Sequence, residues 1–314
     1  MKRKVACIDL GSNSCRMRIA DANGQILYKD SKPTKLGEGL FETGRLSKDS
    51  FERSLRTFTE FSEQMKKYDV CKYRAVATEA CRRASNAKEF CAAIKEKTGI
   101  ELEIISPLEE ARLNLKGAIY HAKSFEYAVV YDLGGASTEI TLAKNTKQIE
   151  IIHTISVPWG ARNGAEAYDL QEYNKQNALR LENDIKKYVK DFIKRADLEK
   201  YRDKCCLIAI SSTPLRLCSM IKRQEKYERE QNDGEVTKAT DIDSVVKQVC
   251  EMTLEDRAKS PYIGENRAPV FVAAAIIFKS IYRTLNFENV IVSFKGAQDA
   301  MVEELCNGKN DEVC

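Results

Sequence analysis

Hydrophobic and polar positions along this chain switch repeatedly between two periods. Residues 5–20, VACIDLGSNSCRMRIA, read as an apolar strand, an Asp-Leu-Gly turn and a second strand of alternating character. Residues 128–143, AVVYDLGGASTEITLA, repeat the pattern. At a constant offset of 123 residues, Asp9 meets Asp132, Leu10 meets Leu133, Gly11 meets Gly134 and Ser14 meets Ser137. Met17 and Ile19 match Ile140 and Leu142 as the predicted buried face. Turn residues recur in unrelated hairpins. Identities this dense, with matching alternation on both flanks, favour an internal duplication.

Between and after the hairpins the period lengthens. Phe51, Leu55, Phe58, Phe61 and Met65 recur at helical spacing, as do Phe90 and Ile94 ahead of a Gly99 stop. Ile185, Tyr188, Val189, Phe192 and Ile193 predict another helix, and Val245, Val246, Val249 and Met252 a further one. Runs at 102–105, 206–210 and 290–294 read as strands, so the fold class is α/β. Residues 222–240 are polar and aperiodic and read as a solvated helix end and loop. A chain of 314 residues exceeds one ordinary core. We expect a first lobe over 1–125, a second over 126–295, and a closing helix at 296–314 that returns to the first.

Composition narrows the function classes. Hydrophobic residues make up 43% and charged residues 31%, as in a folded soluble protein. The apolar stretch 268–278 contains Pro269, is about half of what a bilayer needs, and reads as a buried helix. The N-terminus runs straight into a strand without a signal core, which gives the expectation of a cytoplasmic protein with no membrane partner. Eleven cysteines include no CxxC pair, and His121 and His153 are the only imidazoles, so zinc has little to bind and reduced, buried thiols are expected. A net charge of +4 is too small for a general nucleic-acid binder, but it allows a basic lining for an anionic substrate.

The chemistry-bearing residues cluster at the two turns. Amides at Gly11, Ser12, Asn13 and Ser14, and at Gly134, Gly135, Ala136, Ser137 and Thr138, can donate to phosphoryl oxygens. Asp9 and Asp132, at strand ends, suit hydrated Mg²⁺. Ser106, Pro107 and Glu109 have the spacing of a capping box, which gives Glu109 a structural task. Glu110 falls on another helix face, either as a surface carboxylate or as a general base kept ionised by the helix N-terminus. Arg82 and Arg83 are either solvated or a guanidinium fork for phosphate.

Four ordered motifs carry a resemblance: IDLGSNS at 8–14, ATEACRRA at 77–84, ISPLEEARL at 105–113 and DLGGASTE at 132–139. Together they resemble the exopolyphosphatase/guanosine pentaphosphate phosphatase family, and RAPVFVAAAIIF with the closing strand–helix extends the likeness over most of the chain. DLGS or DLGG alone also occurs in sugar kinases, Hsp70-type ATPases and actins. The resemblance implies two actin-like (ribonuclease-H-like) lobes with a central cleft, mixed sheets and flanking helices. It implies stepwise release of terminal phosphate from inorganic polyphosphate or guanosine pentaphosphate, with Mg²⁺ or Mn²⁺ as cofactor. By position the catalytic glutamate is Glu110, the phosphate-contacting arginine Arg82, and the metal and water ligands Asp132 and Glu139, with Asp9 in the paired loop. A homodimer is among the assemblies it allows.

Departures fall mostly in the second lobe: Ala136 in a GGGST-type turn, Ser211-Ser212-Thr213-Pro214-Leu215 for a Gly-x-x-Gly-Thr turn, and Gly296-Ala297-Gln298-Asp299-Ala300 without the usual arginine. Ala136 at a positive φ, and the donor lost at Pro214, would alter how a distal phosphate or guanosine is held. An actin-like kinase and a non-catalytic polyphosphate or alarmone sensor are the alternatives. The loss of glycines at 211–215 favours polyphosphate over guanosine pentaphosphate. The additional helical domain of many relatives is expected to be lacking, because the chain stops at Cys314.

Overall fold

The computed structural model describes residues 3–122, 124–146 and 149–307. The chain forms two compact units, Met1–Leu113 with Ala297–Cys314, and Asn114–Gly296.

In the first unit, β1 (Lys4–Leu10), β2 (Cys15–Asp21) and β3 (Ile26–Lys32) form an antiparallel meander, extended in parallel by β4 (Lys72–Ala77) and β5 (Leu102–Ile104) in the order β3-β2-β1-β4-β5. Its helices are α1 (Leu40–Thr43), α2 (Lys48–Lys67), α3 (Glu79–Arg83), α4 (Ala87–Thr98) and the start of α5 (Pro107–Ala118), which runs on into the second unit. Phe58 and Phe61 of α2 and Phe90 and Ile94 of α4 are buried with Met17 and Ile19, and Gly99 closes α4 in the left-handed conformation. The helix Ala297–Asn307 belongs to this unit. Its Ala300, Met301 and Leu305 pack with Val5, Cys7 and Val76, and Asp299 meets Arg18 at 2.7 Å. The remainder of the expected closing helix lies outside the described residues.

In the second unit, β6 (Tyr127–Leu133), β7 (Thr138–Lys144) and β8 (Glu150–Val157) form a second meander. α6 (Ala161–Ala167) and α7 (Lys175–Arg195) follow, then β9 (Cys205–Ile210), α8 (Ser212–Ile221), β10 (Val236–Lys238), α9 (Ala239–Glu251), α10 (Leu254–Lys259), α11 (Ala268–Leu285) and β11 (Asn289–Ser293). The sheet order is β10-β11-β9-β6-β7-β8, so β8-β7-β6-β9-β11 repeats β3-β2-β1-β4-β5 strand for strand. The duplication extends to irregularities. The register slips between Ile19 and Ala20 in one meander and between Leu142 and Ala143 in the other, the same offset as the sequence match. α11 is long and apolar enough to cross a membrane, but 78% of it is buried in the protein, as a core helix.

Three local readings change. Residues 222–240 are not all loop: β10 pairs with β11, and Asn232 is fully buried in a side-chain network with Ser219 and Gln224. A three-residue strand whose Val236 is exposed carries no period to detect. Tyr188, counted in the apolar stripe of α7, is 40% exposed. Among the described residues nine cysteines are free thiols, while Cys71 is disulfide-bonded.

Candidate functional site

Both hairpin turns are closed by one bond, Gly11 N–H to Ser14 O and Gly134 N–H to Ser137 O, each 3.0 Å. Further carbonyls of each turn are anchored by following segments of the chain. At the second turn the opening amides of α6 supply the donors: Ala161 to Gly134 O, and Arg162 and Asn163 to Gly135 O. The Asn163 side chain donates to Ala136 O at 2.9 Å and accepts from Gly160 N–H at 2.8 Å. At the first turn Lys35 N–H donates to Asn13 O and Gly37 N–H to Ser12 O. With its carbonyls occupied, the second turn keeps the amides of Gly135, Ala136 and Ser137 outside the backbone ladder among the described residues, which is the form of an anion nest. Ala136 is not in the left-handed region, so its methyl group brings no backbone strain. Gly160 is a different case: a Cβ there would lie 2.6 Å from Ala136 N, so the close approach of α6 to the turn requires glycine.

The carboxylates of this unit stand on adjacent strands. Asp132 and Glu139 are direct cross-strand partners, with carboxylate oxygens within 4.8 Å of each other. Glu139 is 3% exposed, and Ser137 Oγ and Ser156 Oγ both donate to its Oε1, at 2.7 and 2.9 Å. Asn114, on α5, donates to Asp132 Oδ2 at 2.7 Å. Two hard, anionic oxygens at this spacing suit a hydrated Mg²⁺ or Mn²⁺ held through one or two carboxylates, and like charges directly opposite in a sheet are relieved by a cation.

In the first unit Arg82 and Glu110 come together. Arg82 Nη1 donates to Glu110 Oε2 at 2.8 Å and to Ile105 O at 2.9 Å, and its Nε donates to Glu79 Oε2 at 2.8 Å. Glu79 also pairs with Arg83 at 3.2 Å. Glu110 is 8% exposed, which removes the reading of a surface carboxylate. Ser106 Oγ accepts from Glu109 N–H at 3.2 Å, so the serine cap forms. The reciprocal half of the expected capping box does not: the Glu109 carboxylate is held by Arg112 and Arg74 instead, and Arg112 reaches on to Glu304. Hydrogen bonds from Arg112 first, and then Arg74, hold Glu109 down to about 2. Asp9 faces Arg16 at 3.8 Å, and burial pushes its carboxyl up against the opposing pull of Arg16 and Arg18.

At the departures, β9 runs directly into α8, with Pro214 in the first helical turn, where an amide would have no intrahelical partner anyway. Ser211 absorbs the turn at φ 118° and ψ 177°, and its hydroxyl is buried with no hydrogen-bond partner among the described residues. Sequence reasoning missed Ser156, Asn114, Asn163, Glu79 and Arg16. The sequence signals were faint: Asn114 is a polar residue between Leu113 and Leu115, and Arg16 falls at the offset position of Glu139.

A profile of the Ppx/GppA phosphatase family matches residues 17–307. The chain is similar to a protein of Mycobacterium tuberculosis named exopolyphosphatase 2, with 27% identity over 90% of this chain and 91% of that one. It is equally similar, at 27% identity, to a bifunctional 3-dehydroquinate synthase/phosphatase of Fusobacterium nucleatum, over 92% of this chain but only 44% of that longer protein. The crystal structure of an Aquifex aeolicus member of the Ppx/GppA protein family superposes with a TM-score of 0.79 at 26% identity, over 99% of this chain and 100% of that one. Its two mixed sheets with flanking helices are the actin-like fold of those proteins. With two equivalent glycine-turn hairpins, the acidic strand pair and this match over most of its length, the chain belongs to the Ppx/GppA phosphatase family.

Proposed function

We propose that this protein is a cytoplasmic phosphoanhydride hydrolase that releases terminal orthophosphate from inorganic polyphosphate, with guanosine pentaphosphate as the second candidate substrate. The observation that carries the reading is the opposed pair Asp132 and Glu139 at the strand ends, beside a turn whose amides from Gly135 to Ser137 are left for an anion. A mycobacterial relative named exopolyphosphatase supports the substrate class.

Each residue is assigned a role. Water attacks the terminal phosphorus in line with the bridging oxygen, the bridging P–O bond breaks, and the water proton passes to Glu110. Arg82 fixes the Glu110 carboxylate in direction through their 2.8 Å ion pair. Its Nη2, buried without a hydrogen-bond partner among the described residues, is the nitrogen that a phosphoryl oxygen can engage. Asp132 and Glu139 would hold Mg²⁺ or Mn²⁺, with Glu139 also orienting water, and Asp9, already met by Arg16, takes the lesser part. A divalent ion bound there would offset the negative charge on the phosphoryl oxygens.

The test is phosphate release from purified protein with Mg²⁺ and long-chain polyphosphate, guanosine pentaphosphate or ATP, across a salt series. Polyphosphate should give the highest kcat/KM and the steepest fall with salt, since it is held by several cationic contacts. Release from none of the three, with polyphosphate still bound, would make the protein a sensor.

A further inference from the structure

We infer that Ser156 is a positioning residue for Glu139, fixing the orientation of that carboxylate toward a divalent cation; this rests on the metal-dependent reading above. The first support is register. Asp132, Glu139 and Ser156 are direct cross-strand neighbours on β6, β7 and β8, so three side chains of one row share one sheet face. The second is convergence. Ser156 Oγ, at 2.9 Å, and Ser137 Oγ, at 2.7 Å, donate to the same oxygen, Glu139 Oε1, from the strand on one side and the turn on the other. Two donors on one oxygen fix the rotation of the carboxylate about its last bond, which a single donor leaves loose.

The duplicated hairpin supplies an internal control. Its equivalent row is Asp9, Arg16 and Ser31. Ser31 is exposed, and among the described residues its amide, not its hydroxyl, is bonded, to Asp30. A bonded serine hydroxyl at this position is therefore not something the hairpin needs in order to form. Its hydroxyl is engaged where the central residue of the row is a glutamate. Further along the same two strands Thr141 and Thr154, also register partners, bond each other at 2.8 Å rather than a carboxylate, so a hydroxyl row alone does not produce the Ser156 arrangement. Ser156 also leads, through Val157, Pro158 and Trp159, to Gly160 and the amides of α6 that anchor the turn. It joins the element that holds the anion nest to the carboxylate beside it.

The experiment compares wild type, Ser156→Ala and Ser156→Thr, with Mn²⁺ as the probe. Mn²⁺ affinity is read by titration calorimetry or by the spin resonance of the free ion, and kcat and KM are read separately with polyphosphate. Removing a hydrogen bond to a metal-ligating carboxylate commonly costs 10–100-fold in affinity or activity. Ser156→Ala should weaken Mn²⁺ binding about tenfold and lower kcat by a similar factor, with KM within about twofold and melting temperature nearly unchanged. Ser156→Thr, which keeps the hydroxyl, should restore both. Unchanged Mn²⁺ affinity in Ser156→Ala overturns the inference, as does a loss that tracks a fall in melting temperature and is not recovered by threonine. A wild type that binds Mn²⁺ but releases no phosphate from any substrate sinks the functional reading alone, and the affinity comparison still decides the role of Ser156. A wild type that binds no Mn²⁺ overturns both.

Discussion

Asp132 and Glu139 oppose each other across β6 and β7, while the same two register positions of the first hairpin hold Asp9 and Arg16. One hairpin closes its charge within itself, through an ion pair of 3.8 Å. The other sets two carboxylates side by side, an arrangement that a divalent cation relieves. The duplicated scaffold is thus asymmetric in charge at this register position.

That asymmetry predicts how melting temperature responds to metal. A ligand that binds only the folded state stabilises it by about 2.7 kcal/mol at one hundred times its Kd. Mg²⁺ should raise the melting temperature of wild type and of Asp9→Asn, and should fail to do so for Asp132→Asn and Glu139→Gln. Without metal, the last two should melt at or above wild type, because one of two opposed charges is gone. Thermal melts with EDTA and with Mg²⁺ check this. Equal metal shifts in all four proteins would place the cation elsewhere.

The adjacent glutamates of α5 should separate by role. Glu110→Gln should lower phosphate release by about 100-fold or more, the range of a positioned general base, with a small change in melting. Glu109→Gln should keep most activity but lose about 1 kcal/mol of stability, because it weakens a partly exposed ion network with Arg74 and Arg112. Initial rates and denaturant melts on the two variants decide it. Equal activity in both would remove Glu110 from its role.

What was legible in the sequence was local. The two hairpins are readable because strand, turn and strand lie within sixteen residues, and Gly11 and Gly134 sit where the turns need them. The stripes of α2 and α4 are readable because burial repeats at helical spacing. The hold on Glu139 was not legible, since Ser156 lies seventeen residues away and meets it only through the register of β7 and β8. The anchoring of Ala136 O by Asn163, twenty-seven residues on, is hidden for the same reason. At Glu109 the local rule named the capping serine correctly. It lost the carboxylate to Arg112, one turn on in the same helix, and to Arg74 on β4, which no spacing could supply.

Acid should expose the Glu109 network. Its folded value of about 2 lies below the ordinary 4.5, so its stabilising contribution is complete above about pH 5 and is lost as pH falls toward 2. The stability difference between wild type and Glu109→Gln should therefore be largest near neutrality and shrink on acidification. Urea midpoints for both proteins at pH 7, 4 and 3 test it. A difference that stays constant would mean that the carboxylate charge is not what stabilises this corner.

Ser211 holds a backbone conformation, φ 118° and ψ 177°, that is ordinarily open only to glycine. Its hydroxyl adds a second cost, being buried without a hydrogen-bond partner among the described residues. Ser211→Gly removes both and gives back some unfolded-state entropy, so a net gain of about 1 kcal/mol is expected. Ser211→Ala removes the hydroxyl but keeps the Cβ that the backbone resists, so its gain should be smaller. Denaturant melts of the three proteins separate the two costs. If glycine stabilises no more than alanine, the hydroxyl is the liability and the backbone is unstrained. If glycine stabilises more and phosphate release from polyphosphate is unchanged, the serine is a departure the fold tolerates rather than one the reaction uses.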